Sequence, residues 1–201
     1  LQQHLLIFAR HPELGKVKTR LARTIGQRAA LAVYEELLGH THAATAPLAV
    51  HKILWLAEAK PAANPAEFWP GYDQQEQVGA DLGARMATAF TQSFAQGATA
   101  AVIIGTDCPG LTTNHLEQAF AALQTHDVVV GPAMDGGYYL LGMKTLHASF
   151  FQGKTWSTDS VLAELLAEAR ALHLRVRQLP QLRDVDTAED LAAWRAGPPK
   201  N

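Results

Sequence analysis

The chain has 201 residues, with 17 Lys and Arg against 19 Asp and Glu and a formal charge of −2. No global field therefore draws it to nucleic acid or to an anionic membrane, and any affinity for anions has to be local. This length predicts one hydrophobic core and one domain over residues 1–201. No stretch of about 18 apolar residues is present, the N-terminal residues lack the cationic, apolar and small-residue succession of a secretion signal, and a single cysteine excludes an intrachain disulfide. The expectation is a cytoplasmic protein without a membrane span.

Apolar runs with β-branched residues alternate with longer segments of helical spacing. "HLLIFA" (4–9) predicts a first strand, followed by a loop over 10–20 that Pro12 and Gly15 bend sharply. Residues 27–45 set Leu31, Tyr34, Leu37 and Leu38 on one side of a helix, and "AVHKILWLA" (49–57) predicts the second strand. The Pro- and Ala-rich stretch 61–70 reads as a loop. Helical period returns through Leu82, Met86, Ala89, Phe90 and Phe94, and "AVIIG" (101–105) reads as a short buried strand. Thr112 or Thr113 caps a helix striped by Leu116, Ala119, Phe120 and Leu123, and "DVVVG" (127–131) is the next strand. "DGGYYLLGM" (135–143) reads as a turn entering a strand, 158–171 as a helix and 173–179 as a part-exposed strand. Thr187 and Asp190 form a weak capping box for a last helix. The pattern predicts a three-layer α/β/α domain with a mostly parallel sheet and one later antiparallel strand.

In such sheets ligands bind beyond the carboxyl ends of the strands, and the loops expected there carry the unusual residues. Arg10, Lys16, Lys18 and Arg20 follow the first strand. The alternate spacing of the last three, in an extended loop, sets three donors on a common side for a phosphate. Asp107 stands just past a buried strand, in "GTDCPGL", where a carboxylate suits Mg²⁺ or Mn²⁺, hard cations that take few protein ligands plus waters and phosphate oxygens. Turn formation is its bland role. Cys108 reads as a buried spacer, and the nine histidines show no zinc spacing. Asp184 and Asp186 alternate in "RDVDTAEDL", so both face one way if extended; completing a metal site with Asp107 and capping the last helix are even alternatives. Asp135, before two glycines, serves either a ligand or a turn.

Five ordered stretches, "FARHPELGKVKTRL", "QVGADLGARMATAF", "GTDCPGL", "VGPAMDGGYYLLG" and "RDVDTAEDL", resemble a bacterial glycosyltransferase-A-like family first filed as a domain of unknown function. That family was later named for arsenosugar-biosynthesis glycosyltransferases and is related to the nucleotide-diphospho-sugar transferases, 2-phospholactate guanylyltransferase among them. The resemblance covers about residues 4 to 194 and implies a glycosyltransferase-A-type fold. It places Lys16, Lys18 and Arg20 near nucleotide phosphates, Asp107 and Asp186 at Mg²⁺ or Mn²⁺, and Asp81 and Arg85 in the nucleotide pocket. The implied reaction is glycosyl transfer from a nucleotide-sugar to a small-molecule acceptor, with Asp135 as the candidate for acceptor activation. The chain lacks the "LAAGxGxR"-like opening of sugar nucleotidyltransferases, and Asp107 stands in TDCP instead of a full DxD. Nucleotidyl transfer to a small phosphorylated substrate and nucleotide binding without turnover stay open as alternatives.

Overall fold

Alternation along the first strand, β1 (Gln3–Ala9), sorts the core into two layers, as a two-residue side-chain period requires. Leu5, Ile7 and Ala9 enter one cluster and Leu6 the other. A computed structural model describes residues 2–58 and 69–197. The expected loop at 61–70 lies, up to residue 68, outside the described residues.

Beyond β1 the chain forms α1 (Thr19–Ile25), α2 (Gln27–Thr45), β2 (His51–Leu56), β3 (Asp73–Glu76), α3 (Leu82–Ala95) and β4 (Ala100–Ile104). There follow α4 (Thr113–Ala122), β5 (Val128–Pro132), β6 (Tyr138–Met143), a 3₁₀ turn (Ala148–Phe151), α5 (Val161–Ala171), β7 (Val176–Gln178) and α6 (Ala188–Ala196). The strands make one sheet in the order β3-β2-β1-β4-β6-β5-β7. All pairings are parallel except those of β6, which runs antiparallel to β4 and β5. The mostly parallel sheet with one reversed strand is the expected architecture.

The register places Leu6 beside Ile53 on β2 and Ile103 on β4, a row that packs with Met86 and Phe90 of α3 and Leu165 of α5. On the opposite face Leu5, Ile7, Leu54, Val102 and Val129 pack with Tyr34 and Leu38 of α2 and Leu116 and Phe120 of α4. Each fully buried side chain of this size contributes about 1.5–3 kcal/mol relative to exposure. A third, smaller cluster joins Leu21 of α1, Leu37 of α2 and Val185, with Leu191 and Trp194 of α6 packed against it.

Two elements depart from the sequence reading. β3, "DQQE", carries no apolar period because it is an exposed edge strand. Helix α1 starts where an extended loop was expected, so Arg20 lies in its first turn and Lys18 is its N-cap residue. Among the described residues no helix is long and apolar enough to cross a membrane.

His4 is fully buried in β1, with Nδ1 2.7 Å from the Ser93 hydroxyl and Nε2 without a hydrogen-bond partner among the described residues. Burial, and secondarily His51, lower its pKa. The unfolded chain then takes up a proton near pH 6.5 that the folded chain refuses, so the contribution of His4 to stability is lost as pH falls below that value. The melting temperature should therefore drop more between pH 7.5 and 5.5 in the parent than in His4→Gln. Equal drops in the two proteins would remove His4 from the acid sensitivity. Titrating groups remote from His4, Asp184 among them, are common to both proteins and cancel in the difference.

Candidate functional site

The loops after β1 and β4, the β5–β6 turn and the segments before α5 and α6 surround a cavity of about 850 Å³. Its walls include Arg10, Lys16, Lys18, Arg20, Arg85, Asp107, Asp135 and Asp186.

Local chemistry shapes the post-β1 loop first. Gly15 takes a positive φ of 78°, and the Lys16 N–H donates to the Glu13 carbonyl at 3.1 Å, closing the turn that Pro12 and Gly15 predict. Tyr34 of α2 clamps the loop's root: its hydroxyl accepts from the Arg10 N–H at 2.8 Å and donates to the Arg10 carbonyl at 3.0 Å. Lys18 then adopts the left-handed region, φ 47° and ψ 45°, immediately before α1. This hinge, not extended alternation, aims its side chain inward. Lys16 stays at the cavity wall but pairs with other carboxylates: its ammonium lies 3.0 Å from Glu13 and 3.7 Å from Glu58.

The second contribution comes from the end of β4, where the Asp107 carbonyl accepts from the Val185 N–H at 2.9 Å. That bond lays the 183–187 segment alongside the post-β4 loop. Val185 is fully buried against α1 and α2, which leaves Asp184 and Asp186 on the cavity side. Asp184 and Asp186 therefore both line the cavity, in a segment that belongs to no named strand. The helix-capping role falls to Thr187 and Asp190, whose side chains accept from each other's backbone N–H.

The charges meet at Lys18. Its Nζ is 2.5 Å from Asp107 Oδ1 and 2.8 Å from Asp186 Oδ1, with a side chain only 5% exposed. Arg20 takes the other Asp186 oxygen at 2.5 Å. Burial works to lower the Lys18 pKa, but the two carboxylates outweigh it and hold the ammonium above its usual value. Asp184 lies behind this group, its pKa pushed up to about 6 by burial and by the charges of Asp107, Asp135 and Asp186. The Cys108 thiol donates to Asp184, and burial drives its own pKa strongly upward. It is therefore a thiol and not a nucleophile at neutral pH, consistent with a spacer that also partners an acid.

Asp135 sits exposed in the β5–β6 turn, one oxygen accepting from the Gly137 N–H at 2.9 Å. Asp81 is not on the cavity wall. It caps α3, accepting from the Ala84 N–H at 2.8 Å, and so orients the first turn that carries Arg85 to the cavity. Sequence reasoning missed the far wall, built from Leu82, Met86, Tyr138 and Trp156. Gly83 and Gly136 hold it in place: a Cβ on Gly83 would come 2.3 Å from the Trp156 ring, and one on Gly136 2.3 Å from the Asp159 carbonyl. The readable signal was a Trp followed by Ser, Thr and Asp after Gly153.

The donor set fits a hard divalent cation in one respect. Oxygens of Asp107 and Asp186 converge on a point that a cationic nitrogen already occupies. No group of three His, Cys, Asp or Glu side chains among the described residues is arranged to hold a metal. Two carboxylates completed by phosphate oxygens and water are what Mg²⁺ or Mn²⁺ requires.

This sheet order, with its reversed strand and its cavity beyond the carboxyl ends, defines an α/β protein of the nucleotide-diphospho-sugar transferase type. The chain belongs to the family described as "Uncharacterized protein conserved in bacteria (DUF2064)", which matches residues 40–158. A protein from Desulfovibrio desulfuricans G20, provisionally named a nucleotide-diphospho-sugar transferase, is 32% identical with a TM-score of 0.91, over 100% of this chain and 90% of that one. The Rv0371C complex with manganese from Mycobacterium tuberculosis H37Rv is 18% identical with a TM-score of 0.57, over 98% of this chain and 100% of that one. The inositol-1-phosphate CTP transferase of T. maritima is 13% identical with a TM-score of 0.58, over 94% and 91%. The last two establish likeness of fold alone. Among curated proteins none matches the chain.

Proposed function

We propose that the protein transfers a glycosyl group from a nucleotide-diphospho-sugar to a small-molecule acceptor with the help of Mg²⁺ or Mn²⁺. One observation carries this reading: Lys18 and Arg20 meet Asp107 and Asp186 at the wall of a large cavity. A diphosphate donor needs charge-assisted N–H donors and hard-cation ligands side by side, and this corner offers both. The 32% identity to a protein provisionally named a nucleotide-diphospho-sugar transferase supports the choice of donor. Manganese in a protein of the same fold supports the choice of cation.

When bound, the cation supplies neutralisation of the charge that develops on the departing nucleoside diphosphate. Lys18 and Arg20, assisted by Arg10 and Lys16, hold the phosphates through contacts worth about 1.5–3 kcal/mol each. Asp135 uses one oxygen to accept from Gly137 and keeps the other to receive the acceptor's hydroxyl proton. Asp81 acts at one remove, capping α3 so that Arg85 reaches the nucleotide. Leu82, Met86, Tyr138 and Trp156 receive an uncharged portion of a substrate and exclude water.

The test is a product assay with Mn²⁺, comparing a panel of nucleotide-sugars with nucleoside triphosphates supplied alongside phosphorylated small molecules. Nucleoside diphosphate released from a nucleotide-sugar is the expected product. Pyrophosphate released from a triphosphate would replace this reading with nucleotidyl transfer. Nucleotide binding without either product would make the protein a binding module.

A further inference from the structure

We infer that Lys18 reserves the cation's position, so that the divalent cation is admitted together with the substrate's diphosphate and not ahead of it. The inference rests on the reading of Asp107 and Asp186 as cation ligands given above.

Three observations support it. The Lys18 ammonium bridges carboxylates from two separate loops with a side chain only 5% exposed, so it is a built part of the corner and not a mobile surface cation. Both Asp186 oxygens are engaged, one by Lys18 and one by Arg20. The Lys18 backbone is held at φ 47°, a conformation unfavourable to a residue with a Cβ, which means the surroundings dictate where its stem begins.

A divalent cation arriving alone would have to sit beside an ammonium and a guanidinium or expel them from Asp186. Among the described residues the other carboxylates near the corner, Asp184 and Asp135, already accept from the Cys108 thiol and the Gly137 N–H. A diphosphate changes both terms. It offers anionic oxygens to the displaced ammonium, whose three N–H groups sit on a flexible four-carbon stem. It also fills coordination positions that two carboxylates leave open. Lys18 then exchanges carboxylate partners for phosphate partners as the cation takes its place between Asp107 and Asp186. Coupling of this kind is reciprocal, so the cation must tighten the diphosphate by the same factor that the diphosphate tightens the cation.

Equilibrium dialysis of the full chain tests this, counting protein-bound Mn²⁺ at fixed free Mn²⁺ with and without inorganic pyrophosphate. In the parent protein, pyrophosphate should raise the apparent Mn²⁺ affinity by about 5- to 150-fold, the usual range for coupled sites. Lys18→Met keeps the apolar stem and removes the ammonium. It should bind Mn²⁺ alone more tightly than the parent and lose most of the pyrophosphate enhancement. If Lys18→Met fails to fold, Lys18→Gln, which keeps a polar head without the charge, takes its place in the same comparison. Equal Mn²⁺ affinity in the parent with and without pyrophosphate, or weaker binding of Mn²⁺ alone by a folded Lys18→Met, overturns the role of Lys18 and leaves the cation-dependent function standing. Absence of bound Mn²⁺ in the parent under both conditions overturns the cation-dependent function itself.

Discussion

Replacing Asp107 with asparagine should lower turnover by at least about 100-fold, the scale seen when one electrostatic partner of a developing charge is removed. It should also abolish the enhancement of nucleoside diphosphate binding by Mn²⁺. The folded state should suffer much less. Asparagine retains an oxygen that can accept from the Lys18 ammonium, and Asp186 still supplies a full charge at 2.8 Å. Loss of the Asp107 charge also relieves Asp184, whose pKa that charge helps to raise. The stability cost should therefore stay below about 2 kcal/mol, within the range for weakening one charge-assisted hydrogen bond. Calorimetric titration of parent and variant with a nucleoside diphosphate, with and without Mn²⁺, separates the two roles. Equal Mn²⁺ enhancement in both proteins would reduce Asp107 to a turn residue and withdraw the main support for the proposed chemistry.

The largest stability effect outside the core should come from Gly136→Ala. This glycine has φ +88°, and a Cβ there would lie 2.3 Å from the Asp159 carbonyl oxygen and 2.5 Å from the Asp159 Cα. Both neighbours are backbone, so no side-chain rotation relieves the contact. The backbone strain costs about 1–2 kcal/mol and overpacking adds about 1–3 kcal/mol. Gly153→Ala is the matched control, since its φ is +65° but among the described residues nothing lies within 4 Å of a Cβ there. In urea denaturation the control should lose only the strain and Gly136→Ala should lose clearly more. Because Asp159 belongs to the cavity wall, Gly136→Ala should also weaken nucleotide-sugar turnover more than Gly153→Ala does. Equal destabilisation of the two variants would mean that the Gly136 contact relaxes freely and is not what holds the wall.

Most of the scaffold was legible because it depends on local periodicity. The burial of Leu5, Leu6 and Ile7 in β1, the stripe Tyr34, Leu37 and Leu38 in α2, and Leu116, Ala119 and Phe120 in α4 all follow the apolar pattern of their own segments. The capping pair Thr187 and Asp190 was readable for the same reason, its two partners being three residues apart. β3 was not readable, because an exposed edge strand of "DQQE" buries nothing that would leave a period, and its conformation comes from pairing with β2.

The sequence by itself determined which loops hold charge and which strands deliver them to one end of the sheet. It did not determine how those charges pair. Lys18 and Asp186 are separated by 168 positions, and they meet because Val185, fully buried against α1 and α2, fixes the side on which its neighbours lie. The Val185 N–H bond to the Asp107 carbonyl completes that alignment. Equal spacing suggested that Lys16, Lys18 and Arg20 act alike. A left-handed residue at Lys18, followed by a helix, instead sends Lys16 to Glu13 and Glu58 and delivers Lys18 and Arg20 to Asp186. Asp81 and Arg85 also read as a pair, yet one caps α3 and the other reaches the cavity, because Asp81 is the extended N-cap residue whose side chain turns back to the orphan Ala84 N–H, whereas Arg85 lies within the helix. Periodicity is a property of a segment, whereas ion pairing depends on distances between segments, and only the folded chain sets those.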